Sequence, residues 1–522
     1  MNFIEEGVVN AQARGQAIIL RYPPEPNGYL HIGHAKAFSI TNSMREKYHG
    51  QANLRFDDTN PAKESMHFVE NIQRDLDWLG IKYDRVVFAS DYYEQLYQCA
   101  VHLIRQGLAY VDDSTMDEIK ARRGELGVPG QDSPYRNRSV EENLDLFARM
   151  KAGEFPDGSR VLRAKIDMAS PNMNLRDPVL YRINRQTHYR LGDQWCIYPM
   201  YDFAHSLSDY IEHISNSLCS LEFEDHRPLY HWCVEHCAGA LPNLPAIPPE
   251  QYEFSRLNIE RFVMSKRWLK KFVDEGLVSG WDDPRMPTIA GMRRRGYPAT
   301  AIMQFVMSTG ITKNVMTVPL SALEYYVRAE LDQTAIRVNA VENPIKVKIV
   351  NYPDGKTEQF RVANNPHDET AGTHEITFSN QIWIDGDDYS DNPPPKYKRL
   401  VIGGVVQLRG AYKIKCLRKN GDTLECEITD EKAKGVIQFV NAGDCQAVTL
   451  RKFEPLLKAG TEISDENINR DSLHESSALV EGWLAKQNQV STKYQFVRKG
   501  YYVLDHLDAF VFNQTINLRE GF

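Results

Sequence analysis

The chain has 522 residues, of which 42% are hydrophobic and 25% charged, and its formal net charge is −8 at pH 7. This composition is ordinary for globular proteins, and the length suggests about three to five domains. The N-terminus lacks the apolar core of a signal peptide, and no apolar run approaches the roughly 20 residues that span a bilayer, so we expect no membrane association. The acidic balance excludes indiscriminate nucleic-acid binding, but a specific RNA partner remains compatible because attraction depends on local charge.

The eight cysteines are scattered along the chain. A disulfide framework would concentrate them in a short, secreted domain, whereas reduced thiols are typical of cytoplasmic proteins. We therefore expect a cytoplasmic location.

The first informative stretch is a predicted strand-to-helix turn at residues 21–34. The apolar run Ala17–Leu20 predicts a buried strand, and a helical pattern runs from Ala35 to about Tyr48. Prolines in the turn fix φ and prevent early helix formation, and Asn27-Gly28 is a turn signal. The first N–H groups of such a helix lack intrahelical partners at the positive end of its dipole, so the turn predicts a phosphate site.

Two histidines lie in this turn. His31 and His34 are three residues apart, so on a helical turn they share a face. Imidazoles beside an anion can donate hydrogen bonds to phosphate oxygens as charge develops, and Gly33 leaves room for a nucleotide. Histidines on a turn also serve structural roles, and these residues alone leave both interpretations open.

The next segment predicts a second strand, Ala52–Phe56, followed by Asp57 and Asp58. Strand, helix and strand within about forty residues indicate a βαβ unit and a parallel sheet, with both carboxylates at the edge where ligands bind. The alternative is that one of them caps the next helix. That helix is amphipathic from Met66 to Leu79 and ends at Gly80.

Residues 92–195 change in character and predict an insertion between two halves of a nucleotide-binding domain. Ile197–Asp209 then returns to the sheet and enters a helix, on which Tyr201, His205 and Asp209 share a face. Without context, the pattern favours a core aromatic at Tyr201, with its hydroxyl satisfied by a hydrogen bond.

A cluster of His and Cys residues between 226 and 237 raises the question of a metal. Cys233 and Cys237 are four residues apart within a helical pattern, which differs from the Cys-x2-Cys spacing of a zinc knuckle. We therefore predict buried thiols and no metal site.

A third block, Met264-Ser265-Lys266, precedes a helical region from Trp281 to Asp332. A lysine on a loop can neutralise charge on a departing pyrophosphate, and Ser265 can add a hydrogen bond.

After residue 338 the chain becomes rich in short β-branched segments, including 345–350, 400–402, 405–408 and 423–428, which predict one or two β-barrels.

The C-terminal part carries a basic cluster, Lys396-Tyr397-Lys398-Arg399, with an aromatic ring between its charges. Basic charge with stackable rings suits single-stranded RNA bases. A solvated strand face is the alternative. Gln495 lies in a weaker second candidate.

These motifs carry a resemblance. Pro23–His34 resembles the HIGH element of class I aminoacyl-tRNA synthetases, in the form of the glutaminyl/glutamyl branch, and Met264-Ser265-Lys266 resembles their KMSKS-type loop. The resemblance runs from about residue 14 to the C-terminus. It implies an α/β multidomain fold with a Rossmann-type parallel-sheet catalytic domain and C-terminal β-barrel anticodon-binding domains. The implied division is 1–91 and 196–258 for the two catalytic halves, 92–195 for an inserted tRNA acceptor-binding domain, 259–335 for the MSK loop and helical subdomain, and 336–522 for two β-barrels.

The resemblance also implies roles for individual residues. His31, His34 and Lys266 would be catalytic. The residues implied around ATP are Glu25, Pro26, Asn27, His31, Gly33, His34, Met264, Ser265 and Lys266. Those implied around glutamine are Arg21, Asp57, Tyr201, His205 and Cys219. Those implied to contact tRNA are Asp225, which would read the acceptor stem, and Arg337, Lys398, Arg399 and Gln495, which would contact the anticodon.

The implied reaction is ATP-dependent ligation of L-glutamine to tRNA-Gln through an adenylate, with Mg2+ assisting and the chain acting as a monomer. The alternative within the branch is a glutamyl enzyme of the archaeal/eukaryotic type. Met264 and Cys219 resemble the glutaminyl form, because glutamyl relatives tend to place leucine and arginine there. An arginine would offer a bidentate partner to a glutamate carboxylate, whereas a neutral amide does not require one. A small nucleotidyltransferase and a non-catalytic RNA-binding paralogue are the remaining alternatives.

Overall fold

A computed structural model describes residues 1–487, 489–506 and 509–519. The chain divides into two compact units, one formed by Met1–Asn258 with Val306–Thr317 and the other by Ile259–Phe305 with Val318–Phe522. Within the described residues, no helix combines the length and apolar character needed to cross a membrane.

The first unit begins with three parallel strands joined by helices. Its elements are α1 (Phe3–Ala13), β1 (Ile19–Tyr22), α2 (Ile32–Lys47), β2 (Gln51–Phe56), α3 (Met66–Leu79), β3 (Arg85–Phe88), α4 (Tyr93–Arg105), β4 (Ala109–Asp112), α5 (Met116–Arg123), α6 (Val140–Lys151), β5 (Val161–Ala164), β6 (Val179–Ile183), β7 (Ile197–Pro199), α7 (Tyr201–Ile211), β8 (Asn216–Ser220), α8 (Arg227–His236) and β9 (Glu250–Phe254).

The order β1-β2-β3 is parallel throughout, which confirms the predicted βαβ arrangement. Strand β1 begins two residues later than the apolar run and includes Arg21 and Tyr22. Helix α3 spans the predicted residues, and Gly80 caps it with a left-handed φ of 75°. Strands β8 and β9 are also parallel, and the Ser215 N–H donates to the Ile19 carbonyl beside β1. The carboxyl ends of β1, β2 and β8 carry the residues of the candidate site.

The inserted segment forms its own antiparallel sheet, in the order β4-β5-β6-β7. The expectation that Ile197 returns the chain to the parallel sheet is wrong, because β7 pairs with β6 from Ile183↔Ile197 to Tyr181↔Pro199. The reason is packing: Ile197 and Tyr198 are buried in the core of the inserted sheet. The chain rejoins the parallel strands only at β8, after α7.

The rest of the chain is helical and then almost entirely β. Its elements are β10 (Asn258–Ile259), α9 (Lys266–Asp274), α10 (Ile289–Arg295), α11 (Ala299–Ser308), β11 (Thr317–Val318), α12 (Leu320–Thr334), β12 (Ile336–Val338), β13 (Ala340–Glu342), β14 (Ile345–Ile349), β15 (Thr357–Ala363), β16 (Thr373–Ser379), β17 (Gln381–Ile384), β18 (Val405–Leu408), β19 (Lys413–Asn420), β20 (Thr423–Ile428), β21 (Val436–Ile437), β22 (Phe439–Asn441), β23 (Cys445–Phe453), β24 (Leu473–Glu481), α13 (Gly482–Ala485), β25 (Lys493–Phe496), β26 (Gly500–His506) and β27 (Val511–Ile516).

The predicted barrels are two seven-stranded sheets that nearly close. One has the order β12-β25-β26-β27-β23-β24-β13, and the other β21-β18-β19-β20-β14-β17-β22. In each, the two edge strands are consecutive pieces of one chain segment, interrupted only at Asn339 or at Gln438. A single segment therefore forms both edges and protects them from pairing with another chain.

One predicted strand of this region is wrong. Residues 400–402 do not form a strand: Leu400 makes an isolated bridge to Tyr389, and the next strand begins at Val405. The Gly403-Gly404 pair interrupts the apolar run, since Gly403 adopts a left-handed φ of 76° that ends extended structure.

The end of α10 generates a stability prediction. Gly296 caps this helix with φ 93°, and a Cβ there would lie 2.4 Å from Thr515 Oγ1 and 3.0 Å from Val503. Gly296→Ala adds both backbone strain and a clash, and we expect it to lower the free energy of unfolding by about 2–4 kcal/mol in urea titrations. Gly460→Ala is the control, because its φ is 69° with nothing within 4 Å; equal losses for both variants would contradict the role of the clash.

Candidate functional site

Helix α2, which follows the predicted phosphate turn, begins three residues earlier than the sequence pattern predicted. His31 is the N-cap residue and α2 begins at Ile32, so both histidines lie in the first turn. The Gly33 N–H donates to His31 Nδ1 at 3.1 Å, and the His31 N–H donates to His34 Nδ1 at 3.0 Å. The ring centroids are 3.8 Å apart.

These contacts fix the proton positions of the neutral imidazoles. Because Nδ1 of both His31 and His34 accepts a backbone N–H, the proton of each neutral ring resides on Nε2. The Nε2–H groups are donors at the positive end of a 16-residue helix. The turn therefore combines two imidazole donors with the helix N-terminus, an arrangement suited to phosphate.

The proline-rich part of the turn is attached to the end of β2. The Asp57 N–H donates to the Pro24 carbonyl at 3.0 Å, and the Ser65 N–H donates to the Pro26 carbonyl at 3.1 Å. Asn27 Nδ2 donates to the exposed Glu25 carboxylate at 2.6 Å. These contacts place the turn directly beside Asp57.

The Asp57 carboxylate is buried, and among the described residues only one of its two oxygens has a hydrogen-bond partner. Its Oδ1 accepts from Arg55 Nε at 2.8 Å, whereas its Oδ2 has no hydrogen-bond partner among the described residues. A buried carboxylate oxygen without a partner is costly, so this oxygen is a candidate to bind a cationic ligand group. The capping alternative is wrong for Asp57 and for its neighbour Asp58, because the N-cap residue of α3 is Ser65.

Asp58 has a structural role beside the site. Its carboxylate accepts from the Ser90 N–H at 2.8 Å, the Ser90 hydroxyl at 2.6 Å and the Tyr189 hydroxyl at 3.2 Å. Burial raises the pKa of Asp58 to about 7. Burial, with the nearby Asp58 carboxyl adding to it, raises the pKa of Glu64 to about 9. Protonation of these two carboxyls would limit the negative charge near the phosphate turn.

Arg21, predicted to line the amino-acid pocket, is a buried anchor. Its Nε donates to Asp209 Oδ1 at 2.9 Å, and its Nη1 donates to the Leu218 carbonyl at 2.8 Å. Its Nη2 donates to Ser217 Oγ at 2.8 Å and to Cys219 Sγ at 3.5 Å. Arg21 therefore joins β1 to α7 and β8.

The predicted face of α7 points into the same cluster. The Tyr201 and His205 rings stack with centroids 5.2 Å apart and planes 6° apart. His205 Nε2 lies 3.7 Å from Cys219 Sγ and 3.3 Å from Gln251 Oε1. Burial raises the pKa of Tyr201 well above its ordinary value, with the Cys219 side chain adding to the effect. The Tyr201 hydroxyl therefore stays protonated and can both donate and accept a hydrogen bond.

The structure thus brings Arg21, Tyr201, His205 and Cys219 together, and their roles toward a ligand remain predictions. Our sequence reasoning did not include Arg55, Ser217 or Gln251 in the site. No motif marks them, because each belongs to an ordinary short strand segment. Only the pairing of distant segments brings these side chains into the cluster.

Asp225 lies beside the inserted domain. Its backbone carbonyl accepts from Asn172 Nδ2 at 2.8 Å and from Asn174 Nδ2 at 3.2 Å, and the residue is exposed. The contacts hold its backbone while the residue stays accessible to a ligand.

In the second unit, Met264-Ser265-Lys266 leads into α9. Exposed Ser265 is the N-cap residue, and Lys266 is the first residue of the helix. Helix α9 packs through Leu269 and Phe272 into a cluster that includes Leu456 and Leu457. The tripeptide is therefore placed at the start of an anchored helix.

The predicted anticodon contacts lie on the barrels in different environments. Arg337 and Gln495 are direct neighbours in β12 and β25, and Arg337 Nη2 lies 2.7 Å from Asp332 Oδ1 in a largely buried position. Arg399 is paired with Asp388 at 3.3 Å, whereas Lys398 is exposed. An RNA contact by Arg337 would require it to exchange its carboxylate partner.

The His and Cys residues of α8 do not converge. Cys233 and Cys237 are buried in the apolar core of the first unit. Across the described ranges, no group of three or more His, Cys, Asp and Glu side chains is arranged to hold a metal ion.

Proteins and domain models of one family match this chain over nearly its full length. Residues 17–333 match the family of tRNA synthetases class I (E and Q), catalytic domain, and residues 335–433 and 436–505 match two anti-codon binding domains of the same family. The glutamine--tRNA ligase of Clostridium perfringens is 47% identical, covering 100% of this chain and 98% of that protein. The glutamine--tRNA ligases of Clostridium kluyveri (47%, 100% and 98% covered) and Nitrobacter winogradskyi (48%, 98% and 94% covered) are similarly close.

Asp58 generates a prediction about pH. Its pKa is about 7 when folded and near 3.8 when unfolded, so the folded chain retains a proton that the unfolded chain releases as pH rises between these values. Its contribution to stability therefore falls from about pH 4 to pH 7 and is constant above. Asp58→Asn cannot ionise, and we expect it to reduce the loss of unfolding free energy between pH 5 and pH 8 by about 2–3 kcal/mol. An unchanged pH dependence in urea titrations, matching that of the exposed control Asp77→Asn, would contradict this.

Proposed function

The chain belongs to the tRNA synthetases class I (E and Q), and from that membership we propose that it ligates L-glutamine to the 3′ end of tRNA-Gln. The reaction consumes ATP, passes through glutaminyl-adenylate and releases AMP and pyrophosphate. The observation that carries the proposal is 45–48% identity, over nearly the full chain, to proteins named glutamine--tRNA ligase. A glutamyl specificity is not favoured, since position 219 carries cysteine in the amino-acid pocket.

In the first step, the glutamine carboxylate attacks the α-phosphorus of ATP. Asp57 Oδ2 would take the α-ammonium group, and its lack of a protein partner supports this role. The Tyr201 hydroxyl would meet the side-chain amide, with His205 and Cys219 behind it. Holding both ends of glutamine orients its carboxylate for attack.

The nucleotide would be held by the turn and by the MSK loop. The Nε2–H groups of His31 and His34 would donate to phosphate oxygens, and the Lys266 ammonium would neutralise the departing pyrophosphate. The residues proposed around ATP are Glu25, Pro26, Asn27, Gly33, Met264 and Ser265, in addition to these three. Catalysis in this step would be mainly electrostatic.

Mg2+ is proposed to enter with the triphosphate. The described residues offer no cluster of three metal-ligating side chains that would hold it in the protein. Mg2+ prefers phosphate oxygens and water as ligands, so the triphosphate would supply its coordination.

In the second step, the terminal ribose 2′-OH of tRNA attacks the mixed anhydride. The adenylate phosphate is the proposed proton acceptor, so positioning rather than a strong base would drive this step. Asp225 and the insertion at residues 92–195 would bind the acceptor stem. The barrels within 336–522 would bind the anticodon through Arg337, Lys398, Arg399 and Gln495; residues 488, 507, 508 and 520–522 of that range lie outside the described residues.

We also propose that the chain acts as a monomer in the cytoplasm. All eight cysteines are unpaired in the structure, which fits a reducing compartment. The remaining proposed division is 1–91 for the first catalytic half and 259–335 for the MSK loop and helical subdomain. The second catalytic half, expected at 196–258, would begin only after β7, because Ile197–Pro199 pairs within the inserted sheet.

The proposed function is tested by charging tRNA-Gln and tRNA-Glu transcripts with labelled glutamine or glutamate. We expect glutamine to be attached to tRNA-Gln only. Attachment of glutamate to tRNA-Glu at a comparable kcat/KM would show that the proposed specificity is wrong, although the adenylate chemistry would stand.

Asp57 provides a prediction for the amino-acid site. Asp57→Asn removes the charge that would bind the α-ammonium, so we expect kcat/KM for glutamine to fall about 10- to 100-fold, mainly through KM. Steady-state charging kinetics would measure this. An unchanged KM, equal to that of the exposed control Asp77→Asn, would exclude the proposed contact.

Lys266 provides a prediction for the nucleotide. Lys266→Ala removes the charge proposed to stabilise the leaving pyrophosphate, and we expect adenylate formation to slow by on the order of 10²–10³-fold in pyrophosphate exchange with tRNA present. Lys270→Ala is the matched control, because Lys270 lies on the same helix and is paired with Asp274 at 2.6 Å. Equal effects of both substitutions would mean that the general charge of α9 is responsible.

A further inference from the structure

A cavity of about 510 Å3 lies in the second unit. Its wall includes Phe262 and Val263, which directly precede the Met264-Ser265-Lys266 tripeptide, together with parts of α10, α12 and the segment after β23. None of the residues proposed above to bind ATP, glutamine or tRNA lines it. A cavity of this volume accommodates a small organic ligand, and the proposed reaction makes no use of it.

Two arginine side chains of the wall have no carboxylate partner among the described residues. Arg261 Nε donates to the Leu457 carbonyl at 3.2 Å, and its Nη1 and Nη2 groups meet no described acceptor. Arg295 donates only to three backbone carbonyls, at 3.2, 3.3 and 3.5 Å. A carbonyl oxygen accepts a hydrogen bond but carries no net charge. The wall therefore retains two uncompensated guanidinium charges.

The other charged groups of the wall are paired or exposed. Arg328 pairs with Glu324 at 3.0 Å, and Arg285 pairs with Asp283 at 2.9 Å. The two remaining carboxylates belong to the exposed residues Glu260 and Glu454. Water screens exposed carboxylates well, but they still disfavour the approach of a polyanion such as RNA or a nucleoside triphosphate. A small anion is therefore a better match for the interior than a large one.

Tyr297 adds a hydrogen-bond donor beside these charges. Its side chain is 3% exposed and lines the cavity, with the Arg295 guanidinium 5.7 Å from the ring centroid. Its hydroxyl makes no hydrogen bond among the described contacts, and burial raises the pKa of Tyr297, so the hydroxyl stays protonated. A buried hydroxyl without a partner is costly, which makes this group a candidate to bind a ligand oxygen.

Much of the remaining wall is apolar. Five side chains that are each at most 5% exposed line the cavity: Val263, Met286, Met292, Leu456 and Ile516. A bare inorganic ion would leave this surface in contact with water, whereas a ligand with an apolar body would cover it. The wall thus offers one cationic region and one apolar region to the same ligand.

We propose that this cavity binds a small phosphate monoester with an apolar or aromatic body, whose phosphate is held by Arg261, Arg295 and Tyr297. A phosphate monoester carries nearly two negative charges at neutral pH, which matches the two uncompensated guanidinium groups. The planar forks of arginine also fit the geometry of phosphate oxygens. A carboxylate would compensate only one of the two charges.

The ligand would act as an effector of the proposed reaction, and this part of the inference rests on the proposed function. Arg261 holds a left-handed φ of 65°, a conformation that is uncommon for residues other than glycine. A phosphate bound to Arg261 stabilises that conformation, and Phe262 and Val263 connect it directly to the tripeptide that carries Lys266. Occupation of the cavity therefore restricts the segment that presents Lys266 to the nucleotide.

Binding is tested with phenyl phosphate, by calorimetric titration of the full chain with ATP at saturation so that the phosphate turn is occupied. We expect phenyl phosphate to bind, and phenol, benzoate and inorganic phosphate each to bind about tenfold or more weakly, since each lacks the dianionic head or the apolar body. Absence of phenyl phosphate binding, or equal affinity for any of the other three, overturns the proposal. Displacement of phenyl phosphate by tRNA-Gln would also overturn it, because the occupant would then be a phosphate of RNA.

Arg261→Gln locates the site, because it removes the charge and keeps a polar side chain. We expect it to weaken phenyl phosphate binding about tenfold or more, since a charge-assisted contact is lost. Arg361→Gln is the matched control: Arg361 lies on β15, does not line the cavity, and its side chain is 73% exposed. An unchanged affinity in Arg261→Gln, or an equal loss in both variants, would contradict the assignment.

A second variant keeps the test decisive if Arg261→Gln does not fold. Tyr297→Phe preserves the buried ring and removes only the hydroxyl, which has no described partner to lose. We expect it to weaken phenyl phosphate binding about three- to tenfold, the value of one hydrogen bond to a charged group. An affinity equal to that of the unaltered protein would exclude this hydroxyl from the site and overturn the proposed geometry.

The effector role is tested by pyrophosphate exchange with glutamine and tRNA-Gln present. We expect phenyl phosphate to change the exchange rate of the unaltered protein, and Arg261→Gln to abolish this response. An equal response in both proteins would mean that phenyl phosphate competes at the ATP site, and would overturn the effector role. Failure of the proposed function is distinguishable, because binding is measured without charging: a chain that binds phenyl phosphate through Arg261 but charges no tRNA has the binding site without the proposed function.

Discussion

The ion pair between Arg21 and Asp209 is the contact on which the catalytic unit depends. Both side chains are buried, and Arg55 pairs with the same Asp209 oxygen. Isolated charges in such a position would each cost several kcal/mol, so β1 cannot bury Arg21 unless α7 supplies a carboxylate. Arg55 of β2 shares this carboxylate and also pairs with Asp57 and Glu212. The network therefore joins three segments that are distant in sequence, and its arginines also contact Asp57 and Cys219.

The buried carboxylates of this unit lie in two kinds of environment. Asp57 and Asp209 accept hydrogen bonds from guanidinium groups. Asp58 and Glu64 are buried and accept hydrogen bonds from neutral donors, with the Arg190 guanidinium 3.9 Å from Asp58, and their pKa values are about 7 and 9. A substrate with a triphosphate is repelled by ionised carboxylates, and protonation of these two would reduce that repulsion. The arrangement keeps negative charge at Asp57, where an ammonium group would bind, and would limit it beside the phosphate turn.

Local sequence patterns predicted much of the fold. The amphipathic pattern of α3, the strand-to-helix turn before α2 and three of the four barrel segments each carry their signal within a few residues, and the structure confirms them. Ile197–Pro199 was assigned to the wrong sheet because periodicity indicates a strand but does not specify its partner. Residues 400–402 are apolar and β-branched, and the glycine pair that follows outweighed that preference.

The site was predictable only where a motif marked it. His31, His34 and Asp57 stand in recognisable strand-end turns, but the pairing of Arg21 with Asp209 joins residues 188 positions apart, and no local pattern specifies it. The most direct test of the account is a crystal structure with a non-hydrolysable glutaminyl-adenylate analogue. We predict the α-ammonium within about 3.2 Å of Asp57 Oδ2 and the amide between Tyr201 and Arg21, with Arg21 still bound to Asp209. An amino-acid moiety outside this cluster, or Arg21 released from Asp209 to clamp the ligand, would contradict it.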